Sequence, residues 1–283
     1  MILPKLIFDT SAINKLAADI DCDAIVRTLG LLYLVGITET SFSEIIATPD
    51  EAGRLTLLSV LKRLLSCGKC IMPFNWVIEQ QAKAYQKDSS SYDWRRLNVR
   101  VRMAEEEIAR QEFLHQLSDQ TREEMKQWDK QFQQIFRDAK PAFQNLFIAG
   151  QERPSIREVT EKLMGESGAH LEIGADLFAR AAGVRPSVEE IKDFIDRCPP
   201  FRALLVALCF SQYDRCIRDE KMESLGKAGR NDMFSAVYLA YCKVFVTNDA
   251  GHCKAMKTVA DLAGLDTTVL MYDEFRAALV GIQ

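Results

Sequence analysis

The sequence predicts an α/β fold in which helices flank a central, mostly parallel sheet. Short apolar runs alternate with helical segments at both ends of the 283-residue chain, which is typical of parallel sheets. Between those ends, residues 77–225 show helical periodicity with few strand signals. We therefore predict one sheet domain built from residues 1–76 and 226–283, and an all-helical insertion over residues 77–225.

The first strand is predicted at KLIF, residues 5–8, from its apolar composition and from the residues that follow it. Asp9, Thr10 and Ser11 are all good helix N-caps, so a helix should begin at once. The run LLYLVGIT, residues 31–38, predicts a second buried strand.

A short helix carrying Glu44 is predicted in SFSEII, directly after the second strand. Leucine recurs at three-to-four spacing over residues 50–66, which indicates an amphipathic helix. The segment KCIMP, residues 69–73, is a candidate third strand.

The C-terminal segment returns to alternation of helices and strands. The strands are predicted at KVFVT, residues 243–247, and at TTVLMY, residues 267–272. Helices are predicted in MFSAVYLAYC after the loop GRND, in NDAGHCKAMKTVADLAG, and in the closing DEFRAALVG.

Composition excludes several classes of protein. A net charge of -4 argues against binding nucleic acid through a generally basic surface, so any such binding needs a local patch. No signal peptide and no apolar run of roughly 18 residues is apparent, which predicts a cytoplasmic protein without a membrane partner.

Eight scattered cysteines predict reduced thiols in a core. The pair Cys67 and Cys70 could be redox-active or half of a zinc site, but a helix precedes it and no second metal-binding pair is present. We interpret these two residues as structural.

Four acidic residues are predicted to meet at one edge of the sheet. Asp9 and Asp249 come directly after the strands KLIF and KVFVT, at the carboxyl ends where α/β proteins place functional groups. Asp232 precedes the helix that leads into KVFVT, and Glu44 lies after the second strand. Carboxylates this close would repel one another unless a hard cation lay between them, so the pattern indicates Mg²⁺ or Mn²⁺.

Several segments resemble the PIN-domain nucleases: IFDTSAINKL, SFSEII, GRNDMFSAVYLAYCKVFVTNDAGHCKAM and VLMYDEFRAAL. The resemblance implies that Asp9, Glu44, Asp232 and Asp249 are catalytic acids. It further implies that Asp9, Asp232 and Asp249 bind the metal, and that the protein cleaves single-stranded RNA. The supporting hydrogen bonds that it implies come from four neighbouring residues: Thr10, Ser11, Thr247 and Asn248.

The chain departs from the family in the long segment between Glu44 and Asp232. Glu39 or Glu79 could replace Glu44, although the apolar residues around Glu44 fit the family pattern better. Lys227 and Arg230, in the loop before Asp232, are candidates to steer a phosphate toward the metal.

Two further features allow more than one interpretation. The segment from Tyr92 to Arg102 combines rings and arginines that could bind RNA, but the arginines could instead pair with Glu105 to Glu107. His252 lies near the acids and could contact substrate, although a surface role fits it better.

Other functions remain as alternatives. In the first, the chain is a noncatalytic PIN-like module whose insertion binds a protein or RNA partner. Whichever function holds, the insertion could also bind a protein partner or a second copy of the chain. In the second, Asp9 is the nucleophile of a phosphotransferase, but Ser11 stands where that chemistry expects a second Asp. Nucleotide-binding and serine-hydrolase motifs are absent from the sequence.

Overall fold

The centre of the protein is a five-stranded parallel sheet with the strand order β3-β2-β1-β4-β5. The computed structural model describes residues 3–110, 118–147, 152–165, 169–218 and 230–280. The strands are β1 (Lys5–Phe8), β2 (Leu34–Thr38), β3 (Gly68–Ile71), β4 (Val244–Thr247) and β5 (Thr268–Met271). The predicted α/β fold with a parallel sheet is therefore confirmed.

Fifteen α-helices surround the sheet within the described ranges. They are α1 (Thr10–Ala17), α2 (Cys22–Leu32), α3 (Glu39–Ile46), α4 (Glu51–Leu65), α5 (Phe74–Lys87), α6 (Arg102–Arg110), α7 (Ser118–Phe147), α8 (Ile156–Met164), α9 (Ala169–Ala182), α10 (Val188–Arg197), α11 (Pro199–Gln212), α12 (Arg230–Phe234), α13 (Ala236–Leu239), α14 (Ala250–Leu262) and α15 (Tyr272–Val280). A 3₁₀ turn at Trp94–Arg96 and a π-helical turn at Tyr213–Arg218 complete the described secondary structure. None of these helices combines the length and apolar composition needed to cross a lipid bilayer.

Side chains of the strands alternate between two hydrophobic cores, one on each face of the sheet. In β1, Leu6 and Phe8 belong to one core and Ile7 belongs to the other. In β4, Val246 packs with Phe8, whereas Phe245 packs with Ile7. The sheet is buried on both faces, which explains why its strands are continuous apolar runs.

The second strand is shorter than predicted. Residues 31 and 32 form the end of α2, a helix that we did not predict, and β2 begins at Leu34, whose N–H bonds to the carbonyl of Pro4 at 2.9 Å. Leu29 is buried and Leu31 is 77% exposed, as expected for one buried and one exposed face of a helix. The apolar run is therefore helical before the strand starts. The prediction of a strand from residue 31 was wrong at its N-terminal end for this reason.

In the described part of residues 77–225, the regular secondary structure is helical, and its one β-type contact is an isolated bridge between Ile71 and Arg100. Its helix α11 packs against α13 and α14. Phe201 of α11 belongs to the same hydrophobic core as Phe245 of β4. Part of this region therefore covers one face of the sheet.

Gly68 marks a close approach between backbones at the start of β3. A Cβ atom there would lie 2.3 Å from the carbonyl oxygen of Val35 and 3.0 Å from that of Leu64. Only glycine lets β3 pair with β2 immediately after α4 ends.

His170 is a fully buried histidine in α9, and neither ring nitrogen has a hydrogen-bond partner among the described residues. Burial disfavours the charged imidazolium and lowers the pKa of His170 to about 4. The pKa of His170 is therefore lower in the folded protein than in the unfolded chain. As the pH falls, the unfolded state binds a proton at this residue before the folded state does. His170 therefore contributes stability above about pH 6.5, and this contribution is lost as the pH falls toward about 4.

Replacing His170 with Leu should remove this pH dependence. We expect the wild type to lose up to about 3 kcal/mol more free energy of unfolding than His170→Leu between about pH 7 and pH 4. Urea denaturation of both proteins across that range measures the difference. If the free energy of unfolding fell equally with pH in the two proteins, the His170 ring would have to be accessible to protons in the folded state.

Candidate active site

Asp9 is fixed at the carboxyl end of β1. Its N–H bonds to the carbonyl of Val246 in β4 at 3.0 Å. Its Oδ1 caps α1 by accepting the N–H of Ala12 at 2.7 Å, and it also accepts the Ser11 hydroxyl at 2.8 Å. These contacts leave Oδ2 as the oxygen that can face a ligand.

Ser11 connects the ends of β1 and β4. Its Oγ accepts the backbone N–H of Asn248 at 2.7 Å and lies 3.1 Å from Oγ1 of Thr247. Thr247 is fully buried, and its Oγ1 accepts the N–H of Asp249 at 3.1 Å. This network joins Asp9 to Asp249 through three of the four residues that we predicted to support the site.

Glu44 lies on α3, whose N-terminus is capped by Thr38 at the end of β2. The hydroxyl of Thr10 donates a hydrogen bond to Oε2 of Glu44. The fourth predicted supporting residue therefore orients the Glu44 carboxylate toward the end of β1. Glu39 instead accepts a hydrogen bond from Ser43 on its own helix, and Glu79 accepts one from Lys83.

Asp249 and Asp232 complete the acidic group from two further helices. Asp249 caps α14, with its Oδ1 accepting the N–H of His252 at 2.8 Å. Asp232 lies in α12, and its backbone carbonyl accepts the hydroxyl of Ser235 at 2.6 Å.

All four predicted acids line one cleft of about 270 Å³ at the carboxyl end of the sheet, together with His252 and Ser235. The parallel topology explains the convergence, because β1, β2 and β4 all end at this edge. Of the two predicted phosphate-binding residues, Lys227 lies outside the described residues, and the side chain of Arg230 is also outside them.

His252 is buried in the wall of this cleft, so its predicted surface position was wrong. Its Nε2 lies 3.3 Å from the Ser235 hydroxyl and 3.8 Å from Oδ2 of Asp9. The position of His252 could have been predicted from the sequence, because it follows the N-cap Asp249 by three residues and so lies in the first turn of α14. We did not single out Ser235, although it follows Asp232 by three residues and so lies on the same side of the chain.

The oxygen donors suit a hard cation, but they do not form a closed cage. In the described part of the chain, no group of three or more His, Cys, Asp and Glu side chains is arranged to hold a metal ion. Mg²⁺ commonly uses only one or two carboxylates, with water and substrate phosphate completing its shell. The oxygens of Asp9 and Asp249 that are not used in capping are suitable donors for such an open site.

No Lys or Arg is among the described residues that line the acidic cleft, and positive charges lie instead in a neighbouring pocket that shares Asp232 and His252 with it. Arg215 is buried, and its guanidinium packs over the rings of Phe136 and Phe132, at 4.7 and 5.2 Å from their centroids. Burial lowers the pKa of Arg215 from its ordinary value, while the negative charges of Asp214 and Asp232 oppose this shift. Arg215 and the exposed Lys254 line a second pocket of about 180 Å³, which also contacts Asp232 and His252.

Two features weighed from the sequence have structural roles. All eight cysteines are free thiols, and Cys67 donates its S–H to the carbonyl of Leu64. Arg100 makes a bidentate ion pair with Glu105, in which its Nε and Nη2 each donate a hydrogen bond of 2.8 Å to the carboxylate. Tyr92 is buried with its hydroxyl on Gln81, so its ring is not accessible for stacking on RNA.

No protein-family model matches the chain, and no curated protein or solved structure shows detectable similarity to it.

Proposed function

We propose that this protein is a PIN-like, metal-dependent endoribonuclease that hydrolyses single-stranded RNA in the acidic cleft. The observation that carries the proposal is that Asp9, Glu44, Asp232 and Asp249 come from four separate segments of the chain and line one cleft. Carboxylates from distant parts of the chain face the same small volume at the edge where α/β enzymes bind their substrates.

In this proposal, Asp9, Asp232 and Asp249 would hold Mg²⁺ or Mn²⁺ in an open site, with water between the cation and any of these carboxylates that does not reach it directly. The bound cation would supply Lewis-acid activation of water and offset the negative charge on the phosphate. The chain's own contribution is to fix the donors in advance. Helix capping holds Asp9 and Asp249, the Ser11 network couples them, and Thr10 orients Glu44.

His252 is a positioning residue in this scheme. Its buried imidazole lies between the hydroxyl of Ser235 and the Asp9 carboxylate and packs edge-on against Phe245, with ring centroids 5.8 Å apart. It therefore limits the orientations available to Oδ2 of Asp9.

The second candidate is a noncatalytic PIN-like module that binds RNA or protein. It is favoured by the capping roles of Asp9 and Asp249, since a fold without catalysis needs the same N-caps for α1 and α14. Under this alternative the acids are structural, and the protein cleaves no RNA under any metal condition.

Incubation with end-labelled single-stranded RNA tests the proposal. We expect internal cleavage with Mg²⁺ or Mn²⁺, because the cation has to offset charge on the phosphate, and no cleavage in EDTA. Gel analysis of the products against a duplex of the same sequence measures both metal dependence and strand preference. Intact RNA under every metal condition would favour the noncatalytic module, and equal cleavage in EDTA would contradict the metal mechanism.

A further inference from the structure

We propose that a groove beside the acidic cleft binds unpaired bases of the RNA strand by stacking them on Trp76 and Trp128. We call this surface the tryptophan groove; it has a volume of about 450 Å³ and lies between α3, the start of α5, and α7. The inference rests on the proposed function, because it assigns a place to the bases on either side of a phosphate in the cleft.

The two tryptophans leave unusually large aromatic surface in water. Trp76 is 52% exposed and Trp128 is 47% exposed, and they are the only exposed aromatic side chains among the described residues. Both line the same groove although they are 52 positions apart in the sequence. Exposed apolar surface gathered in a concave site is typical of ligand binding.

The groove adjoins the acidic cleft. Thr40 lines both, and on the same helix Ser43 faces the groove while Glu44 faces the cleft. A strand with one phosphate among the acids can therefore place an adjacent base in the groove.

Aromatic packing joins the groove wall to the helix that carries Asp232. Phe74 lines the groove and stacks on Phe234 of α12, with ring centroids 3.9 Å apart and ring planes 9° from parallel. Phe132 of α7 also contacts Phe234, with centroids 5.9 Å apart. Packed aromatic rings therefore join the wall of the groove to α12, which carries Asp232 in the acidic cleft.

The charge of the groove favours bases over phosphates. None of the described residues that line it is a cation, and its charged residues are Glu39 and Glu124. Glu39 accepts a hydrogen bond from Ser43, and Glu124 accepts one from Gln120 at 2.8 Å. An anionic backbone would be repelled here, whereas the neutral face of a base can stack on an indole ring.

Binding of fluorescent single-stranded RNA in EDTA tests the groove separately from cleavage, because stacking requires no metal. We expect Trp76→Ala and Trp128→Ala each to raise the Kd by about five-fold to 150-fold. The conservative variants Trp76→Phe and Trp128→Phe should keep most of the affinity, since a ring remains. The dependence of Kd on salt should not change, because no phosphate contact is removed.

Leu31→Ala is the matched control, since Leu31 is also an exposed apolar residue but does not line the groove. It should leave the Kd unchanged, and thermal unfolding should show that all variants fold.

Unchanged Kd values in both alanine variants, or no binding of RNA by the wild type, would overturn the inference. If the two alanine variants lost self-association of the protein but bound RNA as the wild type does, the inference would also be overturned. The groove would then be a protein-binding surface. Tryptophan-dependent binding without metal-dependent cleavage would support the groove while contradicting the nuclease proposal, so the two failures are distinguishable.

Discussion

Replacing Asp9 with Asn should reduce RNA cleavage by at least about a hundred-fold while leaving the fold intact. Asn is as good an N-cap as Asp, and its side-chain oxygen can still accept the Ala12 N–H and the Ser11 hydroxyl. The change replaces Oδ2, the oxygen that lies nearest His252, with a neutral amide. Single-turnover cleavage across a Mg²⁺ and Mn²⁺ titration measures the loss.

The metal-free stability of Asp9→Asn should equal or exceed that of the wild type, because one negative charge leaves a cleft lined by four acids. Asp50→Asn is the matched control. Asp50 caps α4 through a 2.8 Å bond from the Gly53 N–H, but it is exposed and does not line the cleft. Cleavage by Asp9→Asn at the wild-type rate, or an equal loss in Asp50→Asn, would contradict a catalytic role for Asp9.

The sheet and the positions of the acids could be predicted because both follow from local signals. KLIF and KVFVT are apolar runs that end in capping residues, and strands of this kind end at the same edge of a parallel sheet. Asp9 and Asp249 therefore fall on that edge whatever fills the residues between them. The same argument placed Glu44 after β2.

Contacts between distant segments could not be predicted from one sequence. The bond from Thr10 to Glu44 depends on how α3 lies against α1, and the burial of His252 depends on α13 packing on α14. The presence of Trp76 and Trp128 in one groove depends on how α7 packs against α3. Such packing is set by tertiary structure and leaves no periodic signal in the chain.

The start of β2 shows the limit of hydrophobic patterns. An apolar run gives no boundary between a helix end and a strand start when the strand directly follows the helix and both contribute apolar residues to the core. Residues 31–38 contain such a boundary, and the backbone bond from Leu34 to Pro4 decides where pairing begins.

Binding of Mn²⁺ reports on the proposed metal site at the acids without requiring the correct RNA. The double variant Asp9→Asn with Asp249→Asn keeps both helix caps, since each Oδ1 contact can be made by an amide oxygen. It removes two of the three charges proposed to hold the cation. Loss of hydrogen-bonding partners around a metal ligand typically weakens binding 10- to 100-fold, so loss of two ligands should cost at least about a hundred-fold.

Titration of Mn²⁺ followed by electron paramagnetic resonance counts free and bound ions in the wild type, in the double variant and in the Asp50→Asn control. We expect the wild type and Asp50→Asn to bind Mn²⁺ equally and the double variant to bind it at least about a hundred-fold more weakly. Equal affinity in all three proteins, or no binding by the wild type, would contradict the assignment of the cleft as a metal site.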